Sequence, residues 1–188
     1  MSASNVDIKS IVDGFRLAWA IGVPMGLGFF AAAPARAHSA RHFADLKHAS
    51  FEPGRGIYRP AWAAVFATIG YASFLVYKTG RDNNISTTRP FFYYLLQFVF
   101  ALLFCNLLFK ERKIFLALVI VFTNACLVGI TAFEFYSIKP EAGYLLVPYM
   151  GWLLWLGLLT KNLWRLNMEK DTTFHFHKTL VNKVSKIN

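Results

Sequence analysis

The chain has 188 residues, of which 56% are hydrophobic and 17% aromatic, with 19 Phe, 8 Tyr and 5 Trp. That aromatic load exceeds what a soluble surface absorbs, so a membrane protein is the first reading. A net charge of +10 would point to nucleic acid in a soluble chain. Here the basic residues lie between and after apolar runs, where they meet anionic headgroups and set topology, and no nucleic-acid partner is expected.

A helix crossing the hydrocarbon needs about 20 mostly apolar residues. Five stretches approach this length: 17–35, 60–77, 90–109, 114–137 and 142–164. The first also has features of a secretory signal peptide, with Arg16, an apolar run and the small-residue ending Ala35-Arg36-Ala37. Asp7 and Asp13 spoil the positive leader region, and Pro24 among Gly22, Gly26 and Gly28 fits a kinked helix with close neighbours. A membrane span is therefore the expectation. A long link of about 36–59 follows, in which Phe43, Leu46, Phe51, Ile57 and Tyr58 form an amphipathic pattern that favours folding back onto the bundle. The later links, TGRDNNISTTR, KERK and IKPE, are short and make antiparallel neighbours. The expected fold is thus an all-α membrane protein, a bundle of five transmembrane helices with a long first loop capping the cytosolic end. Residues 1–16 form an N-terminal extension, 17–165 the transmembrane domain and 166–188 a basic polar tail.

Five spans put the termini on opposite sides. Lys9, Arg16, Lys78, Arg81, Arg89 and Lys139 fall on one side and the other fourteen of the 20 Lys and Arg residues on the opposite side. This asymmetry assigns the long loop and the C-terminus to the cytosol.

Within the spans, Tyr149, Trp152 and Trp155 recur at helical spacing and form an aromatic stripe. Two readings stay open for it: a headgroup-level anchor, or a wall facing the interior on which a planar ligand stacks. Gln97 is a neutral polar residue in the third span, suited either to joining helices or to meeting a ligand polar group. Asn106 and Asn124 are weaker cases of the same kind. Glu134 is an acid within a span, close in sequence to Ser137 and Lys139, which favours snorkelling or pairing at the interface. His175-x-His177 lacks the remaining ligands of a metal site, and His38, His42 and His48 form a second group in the long loop. No metal site is expected, and no nucleophile with a base, phosphate loop or carboxylate pair is present. Cys105 and Cys126 sit in apolar runs as packing residues.

Three segments carry a resemblance in common spacing: Pro60-x-Trp62 with Gly70-Tyr71-x-Ser73 and Lys78; Gln97 in the third span; and Pro148-Tyr149-x-x-Trp152 closing with Trp164-Arg165. Together they resemble the translocator protein family, also called tryptophan-rich sensory proteins or peripheral-type benzodiazepine receptors, from about Leu17 to Asn167. The departures are specific. The family's loop tryptophan is replaced by Phe51, although Pro53 keeps one proline of that motif; the Asn-x-x-Trp pair of the third span is Ala101 and Phe104; and the tyrosine of the proposed C-terminal cholesterol motif is absent from Leu159-Thr160-Lys161. A formal sterol-motif match survives at Leu75-x-Tyr77 with Arg81.

The resemblance implies a pocket for hydrophobic planar ligands, namely porphyrin or other tetrapyrrole, cholesterol or other sterol, and benzodiazepine-like drugs, used in transport or sensing. It further implies homodimers and the mitochondrial outer membrane. Trp62, Phe66, Gln97, Phe104, Tyr149 and Trp152 are the expected ligand-binding residues, with Phe51 and Pro53 as lid and no obligatory cofactor. Trp155 has no counterpart in the family pattern, which leaves open whether it faces lipid. Two alternatives accompany this reading. One is a porphyrin-degrading enzyme, disfavoured by the loss of tryptophan at Phe51 and Phe104. The other is a ligand-independent scaffold dimerising through Gly22, Gly26 and Ala33.

Overall fold

In a computed structural model of the protein, residues 3–31, 55–111 and 113–184 are described, with side chains for 8–29, 56–109, 111 and 113–168. All regular structure among them is helical: α1 (Ala3–Ala31), α2 (Arg55–Asp82), α3 (Thr88–Cys105, continuing as a π-helical turn Asn106–Lys110), α4 (Ile114–Ile138), the short α5 (Pro140–Tyr144) and α6 (Val147–Val184). The link 32–54, with Phe51 and Pro53, lies outside the described residues.

α4 shows why these sequences pack as they do. Its buried residues Ala117, Val121, Asn124, Val128, Thr131 and Phe135 alternate at spacings of four and three, which is one stripe of a helix facing a partner on each side. That stripe packs against α3 and α6. The opposite faces are apolar too: Phe92, Leu95, Val99 and Leu103 on α3 and Phe115, Val119, Phe122, Ile130 and Phe133 on α4 are exposed. Exposed apolar bands of this extent suit lipid, not water. Four described segments are long and apolar enough to cross a bilayer: Gly56–Asp82, Thr88–Phe109, Ile114–Ile138 and Pro140–Met168. The chain is therefore an integral membrane protein. α1 is not in that set; its described part is diluted by Asp13, Arg16 and four glycines.

α1 packs along α2, and the contact follows from a proline and a glycine. Pro24 has no N–H, so the carbonyl of Ala20, four residues earlier, loses its helical donor. Gly70 of α2 lies against that freed carbonyl, where an added Cβ would fall 2.5 Å from the Ala20 oxygen and 2.8 Å from Ile21 Cα. Only glycine permits backbones this close. Lower in the same interface, Gly28 makes room for the ring of Phe66.

The turns are equally local in origin. α2 ends as the backbone N–H of Ile85 donates to Gly80 O at 2.8 Å, with Asn84 in the left-handed region at φ 55°, a conformation asparagine tolerates better than most residues. The fifth apolar run is not one helix from Ala142, as its composition suggests, but breaks at Leu145–Leu146 between α5 and α6. Pro148 has no N–H to donate to Tyr144 O, which ends the run of helical hydrogen bonds here, and Gly143 sits so tightly on α4 that an added Cβ would lie 2.8 Å from Ala132 O. Past Trp164, α6 continues helical to Val184.

A candidate ligand site built from aromatic rings

Trp62 and Phe66 lie one turn apart on α2, which stacks their rings at 5.3 Å and 22°. The stack crosses to α3, where Phe98 lies 6.3 Å from Phe66 and nearly parallel at 17°. Tyr94, one turn before Phe98, meets it edge-on at 5.1 Å and stacks on Phe135 of α4 at 5.8 Å. From α6, Tyr149 and Trp152 present edges to Trp62 at 6.5 Å and 6.1 Å. Trp155 joins Trp152 at 4.8 Å, and Tyr58 touches both indoles at 6.1 Å. The result is a continuous set of flat faces and edges spanning α2, α3, α4 and α6. Phe66 and Tyr149 are buried, whereas Trp62, Trp152 and Trp155 keep part of their surface free.

The polar atoms in and beside these rings are unusual. Gln97, next to Phe98 in the chain, is 1% exposed, and both its amide atoms lack a hydrogen-bond partner. Trp152 Nε1 and Asn124 Oδ1 are likewise buried and unpartnered. Asn124 uses only its amide nitrogen, which donates to the Tyr149 hydroxyl at 3.4 Å. Four bare polar atoms away from water are costly in a bilayer protein, where nearly every such group is satisfied within the protein. Asn106, by contrast, is satisfied by donating to Leu102 O at 3.0 Å, and Thr131 and Thr160 donate to their own helices at 2.8 Å.

The structure thus brings together Trp62, Phe66, Tyr149 and Trp152. Phe104 is buried in the same apolar core, seven residues beyond Gln97 on α3 at the approach to the π-helical turn, and among the described residues no ring contact joins it to the cluster. Tyr58, Phe98 and Trp155 belong to the cluster without having been singled out as pocket residues. Their signal was available: Tyr94, Gln97 and Phe98 share one face of α3, and Tyr58 precedes Trp62 by one turn.

The opposite end of the bundle is ionic. Asp13 of α1 accepts from Arg81 of α2 at 3.1 Å and from Arg16 at 3.3 Å, with Lys78 at 3.8 Å. The hydrogen bond from Arg81 holds the Asp13 carboxyl below the usual carboxylate range. Tyr77, the tyrosine of the formal sterol motif, lies between two guanidinium groups, Arg16 at 5.5 Å and Arg81 at 5.8 Å from its ring centre. Glu134 pairs with Arg89 of α3 at 2.9 Å, not with its sequence neighbour Lys139, which pairs with Glu141 at 3.3 Å. Among the described residues no group of three His, Cys, Asp or Glu side chains gathers to hold a metal; the side chains of all five histidines lie outside that set. Cys126 is exposed on α4 and Cys105 is half-buried.

Comparison with known proteins agrees with this architecture. The model of the TspO/MBR family matches residues 20–165. A protein named Translocator protein from Bos taurus is 28% identical over 157 residues, covering 84% of this chain and 90% of the relative. A Translocator protein homolog from Schizosaccharomyces pombe is 28% identical over 146 residues, 77% of this chain and 88% of the relative. The Tryptophan-rich protein TspO of Archaeoglobus fulgidus is 27% identical over 126 residues, 66% and 79% of the two chains. The matched segment takes in every ring of the aromatic cluster, and the chain belongs to the TspO/MBR family.

Proposed function

We propose that this protein binds a hydrophobic planar ligand, a tetrapyrrole, a sterol or a benzodiazepine-like molecule, among Trp62, Phe66, Tyr149 and Trp152, and acts in its transport or sensing. One observation carries the reading. A set of stacked and edge-on rings coincides with buried polar atoms of Gln97 and Trp152 that have no partner. The rings suit a flat apolar body, and the amide and indole N–H suit one or two polar substituents on it. The relatives named Translocator protein support transport. In this reading α1 completes a five-helix bundle, the link carrying Phe51 and Pro53 closes the pocket from the cytosolic side, and Phe104 borders it from α3. The protein works as a homodimer in the mitochondrial outer membrane, with its C-terminus in the cytosol.

A second reading, breakdown of a bound porphyrin, draws on the three indoles that meet at 6.1 Å and 4.8 Å. One experiment separates the two: tryptophan fluorescence of the purified protein in detergent, titrated with protoporphyrin and with cholesterol, in darkness and under illumination. Binding predicts saturable quenching by at least one ligand, weakened up to about tenfold by Trp152→Phe, as expected for loss of the indole N–H and part of the stacking area. New pigment products under light would establish the enzyme. Absence of saturable binding for every planar ligand would leave a scaffold.

A further inference from the structure

A concave feature lies away from the aromatic cluster, where α2 faces the α5–α6 corner. It is an open cavity of about 520 Å3, lined on its apolar side by Tyr71, Leu75, Leu145 and Pro148 and on its polar side by Lys139, Glu141 and Tyr144. Its wall is fixed in place. Gly143 locks α5 onto Ala132 and Tyr136 of α4, Ala142 and Leu146 are fully buried, and the corner is tied by Ala142 N–H to Lys139 O at 3.0 Å. The residues that face the cavity are therefore held by a packed corner, as in a preformed site.

The depth of each part follows from the helices. Leu75 and Tyr71 precede Arg81 by six and ten residues, or about 9 and about 15 Å along α2. Arg81 marks the ionic end of the bundle, so Leu75 and Tyr71 lie inward of it along the apolar span Gly56–Asp82. Lys139 caps α5 and Glu141 lies in its first turn, just past the end of α4 that carries the Arg89–Glu134 pair. An elongated molecule with an apolar tail and a polar head would thus find both environments in register.

The polar side specifies the head. Lys139 Nζ and Glu141 Oε1 are 3.3 Å apart, with side chains 39% and 64% exposed, so one cation and one anion stand side by side with little protein covering them. Tyr144 is 64% exposed, and its ring is steadied edge-on by Tyr136 at 5.6 Å and 84°, leaving a face available to a cation. We propose that this groove binds a zwitterionic glycerophospholipid. Its phosphate meets Lys139, its ammonium group meets Glu141 and the Tyr144 ring, and one acyl chain runs over Leu75 and Tyr71. An anionic phospholipid would still place its phosphate on Lys139 but would leave Glu141 without an ammonium group and close to added negative charge, and an uncharged lipid would match neither charge.

The test uses the full chain purified in detergent and native mass spectrometry with phosphatidylcholine, phosphatidylglycerol and diacylglycerol of identical acyl chains. Phosphatidylcholine should be retained as a single bound lipid, about tenfold over the other two. The double variant Lys139→Gln/Glu141→Gln should lose that preference while protoporphyrin quenching of the tryptophans stays unchanged, which shows that the bundle is intact. Glu141→Lys should shift the preference towards phosphatidylglycerol. Equal retention of all three lipids by the wild type, or undiminished phosphatidylcholine retention in the double variant, would overturn the proposal.

Discussion

The two ends of α2 solve opposite problems. Around Lys78 and Arg81 each charge has a partner: Asp13 gathers Arg16, Lys78 and Arg81, and Arg81 also reaches Asp82 at 3.0 Å. Around Trp62 and Phe66, rings contact rings while both amide atoms of Gln97, Asn124 Oδ1 and Trp152 Nε1 have no partner among the described residues. The lesson is that the Asp13 cluster at this end of α2 is satisfied within the protein and ties α1 to α2. The aromatic end leaves polar side-chain atoms unpartnered among the described residues, which is the feature the proposed ligand would complete.

That contrast can be broken first at its centre. Phe66→Ala removes the ring that links Trp62 to Phe98 and opens a void beside Gly28; unfolding in detergent should show a loss of about 3–5 kcal/mol, typical of a buried aromatic truncation. Gly70→Ala forces a methyl group onto the Ala20 carbonyl, where backbone cannot yield as a side chain would. A loss of about 1–3 kcal/mol and a looser α1, seen as faster hydrogen exchange of its amides, should follow. Gln97→Met sharpens the comparison, because it removes two unpartnered atoms at nearly constant volume. The unliganded protein should become more stable, by up to about 1–3 kcal/mol, while ligand binding weakens; a fall in stability would mean that Gln97 joins helices instead.

The smallest effect belongs to the ionic end. The Asp13 carboxyl in the folded protein titrates below its unfolded value of 3.8. Its contribution is therefore fully present above that unfolded value and is lost as the pH falls through the folded one. Acidification from about pH 5 to about pH 2 should lower the thermal midpoint of the wild type more than that of Asp13→Asn. Salt should reduce the difference, since these charges are solvent-exposed.

Much of this was legible in the sequence. The spans of α2, α3 and α4 follow from apolar length, and Trp62, Phe66, Tyr149 and Trp152 from helical spacing combined with the family pattern. Other features were hidden for physical reasons. The break at Leu145–Leu146 is marked by Pro148, which cannot donate to Tyr144 O, but apolar length alone ran the fifth span through it; the close approach of Gly143 to α4 is a tertiary contact that the sequence does not show. The partner of Glu134 is Arg89, 45 residues away and on another helix, whereas sequence proximity favoured Lys139. Trp155 lacked a family counterpart, yet helical spacing puts it on Trp152, and Tyr58 of α2 meets both. Phe98 was masked by the abundance of aromatic residues in α3, where Phe92 and Tyr93 nearby compete for the same reading.

The central claim is that flat ligands enter the aromatic end and not the groove at the ionic end. Photoaffinity labelling with photoreactive porphyrin and sterol probes, followed by peptide mapping, tests it most directly. The account predicts that at least one probe labels peptides carrying Trp62 and Trp152, and that excess unmodified ligand suppresses the label. Labelling confined to Tyr71 and Tyr144, or spread evenly over the lipid-facing residues of α3 and α4, would contradict it.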